Sequence, residues 1–257
     1  MELILIGAIA SLAAGLMTGA GAVPVLFGKT PSRRANDAML GFAAGVMLSA
    51  SYFSLLLPGI EAGRMVYGSV TAAAMVAGAG IGAGALLVAA LNALLPHRHF
   101  VIGPEGADPG ALPKIWLFVF AITIHNFPEG LAVGVGFGGG DLQNGLSLAT
   151  GIALQNAPEG LAVAVALRGQ GYDRRRAFAI ALATGLIEPV GGVLGVGAVQ
   201  MSQQMLPPGL SFAAGAMLYI ISHEIIPETH RHGHQNAATS GLLAGLILMM
   251  MLDVALG

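Results

Sequence analysis

Cysteine is absent from the 257-residue sequence. That excludes disulfides and thiolate metal sites, so any metal ion has to be held by His, carboxylate or amide groups. Charge is scarce as well. Only 9% of residues are Asp, Glu, Lys or Arg, against roughly 25% in a soluble domain, which excludes a water-soluble globular fold. The formal net charge of -2 contains no basic excess, so nucleic acid is excluded as a partner. Aromatics reach only 6%, while 55% of residues are hydrophobic, mean hydropathy is +0.78 and 39 residues are glycine, set among Ala-rich runs. Runs this long and continuous do not suit the roughly ten-residue alternating strands of a membrane barrel, whereas small residues suit closely packed helices. The fold class is therefore all-α, an integral membrane protein with membrane lipid around it. Eight spans of about 20 residues account for nearly the whole chain, so residues 1–257 form a single transmembrane domain.

The apolar runs lie at about 3–27, 38–57, 69–94, 114–136, 143–167, 177–200, 208–226 and 239–256. The first predicts a spanning helix, not a cleavable signal. It has no Lys or Arg before Lys29, begins at Glu2, and is about 25 residues long. Eight spans leave seven loops, and the basic residues divide unequally between them. Loops 1, 3, 5 and 7 carry Lys29, Arg33, Arg34, Arg98, Lys114, Arg168, Arg174, Arg175, Arg176 and Arg231, while the even loops carry Arg64 alone. By the positive-inside rule the odd loops face the cytoplasm and both termini lie outside, in a multi-pass arrangement in the cell membrane.

Two internal repeats cross that arrangement. His125-Asn-Phe-Pro-Glu-Gly-Leu-Ala-Val-Gly-Val135 and Gln155-Asn-Ala-Pro-Glu-Gly-Leu-Ala-Val-Ala-Val165 agree at eight of eleven positions, on spans 4 and 5, which run in opposite directions. A weaker match pairs Phe42-Ala-Ala-Gly-Val-Met-Leu48 on span 2 with Phe212-Ala-Ala-Gly-Ala-Met-Leu218 on span 7. Two antiparallel matches are the signature of an inverted repeat about an axis in the membrane plane, with spans 1–3 related to spans 6–8 around a central 4 and 5.

Depth gives the motifs their meaning. His125 lies 11 residues beyond Lys114 and Glu188 lies 12 beyond Arg176, roughly 17 Å in, near the midplane of a hydrocarbon core about 30 Å thick. Glu129, Glu159 and Glu188 thus meet at mid-membrane, each costing roughly 2.5 to 3.5 kcal/mol if left alone. No Lys or Arg lies at that depth. A divalent cation, protons or a water-filled cavity must offset the charge. The spacing favours the cation: His125 and Glu129 share one helix face beside Asn126, and Gln155, Asn156 and Glu159 repeat the pattern. Pro128 and Pro158 each remove a helix hydrogen bond and release the Ile124 and Leu154 carbonyls. Helices interrupted at matching midplane positions point to a transport site. One imidazole with several carboxylate and amide oxygens suits Zn2+, Fe2+ or Mn2+ better than Cu+ or Ca2+.

His125-Asn-Phe-Pro-Glu-Gly130, Gln155-Asn-Ala-Pro-Glu-Gly160 and Glu188-Pro189 resemble the metal-binding motifs of the ZIP (Zrt-, Irt-like protein) metal transporters, closest to the bacterial GufA-like branch. The resemblance covers essentially the whole chain. It implies eight transmembrane helices in a 3+2+3 inverted-repeat arrangement, a bacterial inner membrane location, and uptake of divalent metal into the cytoplasm, zinc first, with Fe2+, Mn2+ and Cd2+ as further cargo. The metal is substrate; no catalytic cofactor is implied. Carried over by position, His125, Glu129, Gln155 and Glu159 hold a first ion, and Asn126, Asn156, Glu159 and Glu188 surround a second. Family members with a well-formed two-metal centre have a carboxylate where this chain has Asn156, so the second position is expected to be weak or empty. The His223-Glu224 pair resembles an inner-side metal site of the same family, with His230 beside it. Of the remaining His-rich loop, Glu228, His232 and His234 follow the same span, whereas His97 and His99 read as solvated. The segment from Gly103 to Pro113 reads as a turn-rich loop.

Two other functions fit the same residues. A proton-coupled exporter could use the three mid-membrane carboxylates to carry protons, and orientation does not fix transport direction. An intramembrane metallohydrolase would use the ligands to activate water, but His223-Glu224 begins a His-Glu-x-x-His motif that fails at Pro227. Homodimerisation stays open.

Overall fold

The computed structural model of the protein describes residues 2–94, 97–99, 103–105, 114–230 and 233–256. In chain order these form α1 (Glu2–Leu26), α2 (Arg33–Ala50), a π-helical turn (Ser51–Leu56), α3 (Leu57–Tyr67), α4 (Val70–Leu94), β1 (His97–His99), β2 (Gly103–Glu105), α5 (Lys114–Gly138), α6 (Leu142–Gly169), α7 (Arg174–Gly185), α8 (Glu188–Met201), a short 3-10 turn (Gln203–Met205), α9 (Leu206–Ile220), a second π-helical turn (Ile221–Ile225), α10 (Ile226–His230) and α11 (Gln235–Leu256). Among the described residues, six helical rods are long and apolar enough to cross a membrane: Glu2–Leu26, Arg33–Tyr67, Val70–Leu94, Arg174–Met201, Gln203–His230 and Gln235–Ala255. Between them, α5 and α6 run 25 and 28 residues and carry the polar motifs.

The helices start where the sequence offers caps. Ser32 accepts from the Ala35 N–H at 3.2 Å to open α2, Asp141 from Asn144 at 3.0 Å to open α6, and Asp173 from Arg175 and Arg176 to open α7. The Arg176 backbone N–H, above all, holds the exposed Asp173 carboxyl below the ordinary carboxylate range. That cap is fully present above the ordinary carboxylate pKa and is lost as pH falls through the lowered one. Gly68 and Gly140 take left-handed backbone, φ 64° and 85°, where a side chain would be strained.

Three features depart from the sequence expectations. The second rod outruns its apolar run and continues as helix through an exposed Glu61–Arg64 ion pair of 2.9 Å to Tyr67. Pro128 and Pro158 do not end their helices, which continue through them. The frank break comes one helix later, at Leu186 and Ile187 between α7 and α8, just ahead of Pro189 in the first turn of α8. The turn-rich stretch after His99 begins as β2, which pairs antiparallel with β1 in the register His97↔Glu105 and His99↔Gly103. The side chains of His97 and His99, and residues 106–113, lie outside the described residues.

The bundle is apolar outside and partly polar within. Leu5, Met75, Leu86 and Val254 are exposed by 61% or more, whereas Asn126, Glu129, Gln155, Asn156 and Glu188 are exposed by 1% or less. That inversion fits hydrocarbon surroundings and no aqueous one. α2 packs on α11, α4 on α9, α1 on α6 and α5 on α8. The pairs approach at backbone distance through glycines on both partners: Gly45 lies against the Leu242 carbonyl and Gly245 against that of Phe42, and Gly84 and Gly215 do the same between α4 and α9.

Candidate metal centre

α5 presents His125, Asn126 and Glu129 on one face, α6 presents Gln155, Asn156 and Glu159, and the break before α8 places Glu188 in a helical first turn, where the macrodipole favours an anion. All seven are buried. The glycine of each Pro-Glu-Gly motif explains how the helices close on one another. Any Cβ at Gly130 would collide with the Glu188 backbone, and one at Gly160 with that of Thr18 on α1. Gly130→Ala is therefore expected to push α8 away from α5, costing roughly 1–3 kcal/mol or more. Gly82→Ala, where a Cβ meets nothing within 4 Å, is the control. A Gly130→Ala protein with wild-type thermal stability and transport would remove the close-packing argument.

Two amides each hold one carboxylate. Gln155 donates Nε2–H to Glu129 Oε1 at 2.9 Å, and Asn156 Nδ2 donates both to the Ala14 carbonyl of α1 at 2.9 Å and to Glu188 Oε1 at 2.7 Å. A carbonyl can only accept, so the Asn156 amide cannot be flipped, and its Oδ1 faces elsewhere. After these bonds seven buried oxygens have no hydrogen-bond partner among the described residues: Asn126 Oδ1, Glu129 Oε2, Gln155 Oε1, Asn156 Oδ1, both of Glu159, and Glu188 Oε2. Of the amide donors of these residues, Asn126 Nδ2 alone lacks a partner among the described residues.

Glu224 is the residue that sequence reasoning placed differently. The sequence groups it with His223 and His230, but in the fold it meets His125, its Oε2 contacting Nε2, and accepts from Asn92 Nδ2 at 3.1 Å. The other two go elsewhere. The ring of His223 lies against Tyr219, centroids 5.0 Å apart, and His230 contacts Thr229, the Ile226 carbonyl and Thr239 on α11. His234 pairs with the buried Asp37 at 2.8 Å, and His232 lies outside the described residues. Among the described residues, no three His, Asp or Glu side chains close on a common point. Gln155 engages the Glu129 carboxylate and Asn156 that of Glu188, and His125 is turned to Glu224. A second polar cluster also escaped notice: Asp253 on α11 accepts from Ser54 at 2.7 Å and Ser147 at 2.6 Å, leaving its buried Oδ2 unpartnered.

A helical bundle with an apolar exterior and a buried, oxygen-rich middle belongs to the class of polytopic membrane transporters. The chain is a member of the ZIP family: residues 110–253 match the family model described as ZIP Zinc transporter. It is 49% identical over 240 residues to the zinc transporter ZIPB of Bordetella bronchiseptica, covering 93% of this chain and 78% of that one. It is 47% identical over 251 residues to the zinc transporter GufA of Myxococcus xanthus, covering 98% and 99%. The zinc transporter ZupT of Chlorobium phaeovibrioides is 37% identical over 256 residues, covering 94% of each chain. These relatives place the chain among transporters and set the hydrolase reading aside.

Proposed function

We propose that the protein carries divalent metal ions, zinc foremost, into the cytoplasm through a mid-membrane site formed by His125, Asn126, Glu129, Gln155, Asn156, Glu159 and Glu188. The observation that carries this reading is the surplus of acceptors: among these seven residues, seven oxygens and a single amide nitrogen lack partners, in a region where no buried Lys or Arg occurs among the described residues. Burying so many acceptors is costly unless something electron-poor satisfies them, and a cation does so at once. The relatives named as zinc transporters support zinc as the ion. Loading the first position exchanges the contact of His125 with Glu224 for the ion, so Glu224 becomes a competitor for the imidazole.

We read the chain as eight spans in a 3+2+3 inverted repeat, in a bacterial inner membrane with both termini outside. The helix pairings support it. Exchanging spans 1 with 6, 2 with 7, 3 with 8 and 4 with 5 turns the α2–α11 contact into α4–α9 and the α1–α6 contact into α5–α8. The π-helical turns support it too: Ser51 follows Phe42, and Ile221 follows Phe212, by the same nine residues. In the two turns Ser54 bonds Asp253 and Glu224 bonds Asn92, so each reaches the C-terminal part of its partner rod.

Zinc accumulation by right-side-out vesicles, with and without a pH gradient, tests function and direction together. Uptake is expected; zinc leaving loaded vesicles against its gradient would establish the exporter, and no flux either way would remove the transport reading. Topology has its own test. Because the chain has no cysteine, a single cysteine at the exposed Gln170 should react only from the cytoplasm, and one at Gln204 only from outside. Labelling of both from the same side refutes the eight spans.

A further inference from the structure

Seven of the eleven basic residues sit at two connections: Lys29, Arg33 and Arg34 where α1 passes to α2, and Arg168, Arg174, Arg175 and Arg176 where α6 passes to α7. Distant in sequence, these connections meet in space. Gly28 lies against the Arg174 guanidinium, 2.8 Å separating Nη2 from the place a Cβ would take. Beneath them Val25, Leu167 and Ala177 share one apolar cluster, with Met39, Tyr172 and Trp116 packed against it.

Among the described residues, the acidic groups of these two connections are already engaged. Asp37 is buried against His234, and Asp173 caps α7 and pairs with Arg176 at 3.2 Å. Arg168 is turned inward to the Tyr172 carbonyl. Lys29, Arg33, Arg34, Arg174 and Arg175 are exposed, with no ion pair among the described residues. An orientation signal requires only that cations lie on this side; it does not require two remote loops to gather them in one place. Beside Arg34 the fold leaves a notch of about 550 Å³, rimmed by Ser32, Arg34, Asn236 and Ser240 over a floor that includes Ala38 and Gly241. Guanidinium, amide and hydroxyl donors over a small apolar floor match a phosphodiester headgroup on a glycerol backbone. The aromatic rings of Trp116 and Tyr172 beside the charges are those of an interfacial belt.

We propose that this end of the bundle is a docking surface for the anionic phospholipid headgroups of the adjoining leaflet, with one phosphate seated by Arg34 in the notch. The inference rests on the membrane reading but not on the metal centre, so its test needs no transport. The purified protein is placed in phosphatidylcholine containing a minority of phosphatidylglycerol, and the lipids it retains are counted by native mass spectrometry. Phosphatidylglycerol is expected to be enriched over its share of the bilayer, and the enrichment to be lost at about 0.5 M salt, where screening is short-ranged. With Arg33→Gln, Arg34→Gln, Arg174→Gln and Arg175→Gln combined, retention should fall roughly tenfold or more, and Arg34→Gln alone should remove one retained lipid. Arg64→Gln, on another loop, should change nothing. Retention of both lipids in proportion to their supply, or phosphatidylglycerol retention indifferent to salt, overturns the proposal. So does inorganic phosphate displacing the lipid at equal concentration, which would mark a site for free phosphate. Should the combined variant fail to insert, the salt dependence of the wild type and the Arg34→Gln count decide.

Discussion

Glu159→Ala is expected to abolish metal uptake while leaving an inserted, folded protein. The carboxylate is buried, and neither of its oxygens has a hydrogen-bond partner among the described residues, so alanine breaks no such contact within the protein. Removing an anion from mid-membrane also relieves an insertion cost of roughly 2.5–3.5 kcal/mol. The metal-free variant should therefore melt no lower than the wild type. In the proposed site the ion, by contrast, would lose a charged ligand; roughly 3 kcal/mol or more corresponds to at least a hundredfold weaker binding. Glu129→Ala should be as damaging to uptake but less clean, because it also strands the Gln155 amide that donates to Glu129 at 2.9 Å. Zinc titration and vesicle uptake of purified Glu159→Ala check both halves. Wild-type uptake by that variant would remove the metal-site reading, and loss of folding would show that Glu159 holds the helices together.

The helices and the motif faces were legible because their signals are local. Continuous apolar runs mark the rods whatever they pack against, and four-residue spacing puts His125 with Glu129 and Gln155 with Glu159 on helix faces before any tertiary structure is known. Contacts between distant segments have no such local mark. Glu224 reaches His125 from 99 residues away, and the π-helical turn at Ile221–Ile225 shifts the register on which a plain helical reading of residues 223–230 depends. The weak match of Phe42–Leu48 with Phe212–Leu218, continued six residues further, aligns Ser54 with Glu224. Prolines misled for a related reason. They report a lost hydrogen bond, but whether a helix bends, continues or stops there depends on the neighbours that re-satisfy it, and only the junction at Pro189 became a break.

Asn156→Asp is the second variant with a large expected effect, and the structure changes what it should do. On charge alone, Glu129, Glu159 and Glu188 with one divalent ion leave a net of -1, whereas two ions leave +1 in a low-dielectric interior. Aspartate brings a fourth carboxylate, so two divalent ions are neutralised and a second equivalent should bind more tightly. The geometry adds a cost in the absence of metal. Asn156 donates to the Ala14 carbonyl and to Glu188 Oε1, and a carboxylate would set oxygen against both acceptors. Leaving such groups opposed without a donor costs roughly 1–3 kcal/mol. The metal-free variant should thus melt below the wild type by several degrees, and zinc should raise its Tm further than it raises that of the wild type, because an ion between positions 156 and 188 takes over from the two amide protons. Transport should slow even as binding tightens, since an ion held too firmly leaves slowly. Calorimetric zinc titration and thermal melting of both proteins test this together. Two equally tight equivalents in the wild type, unchanged by the substitution, would defeat the charge argument, and an unchanged metal-free Tm would deny Asn156 its role as the donor that joins α6 to α1 and α8.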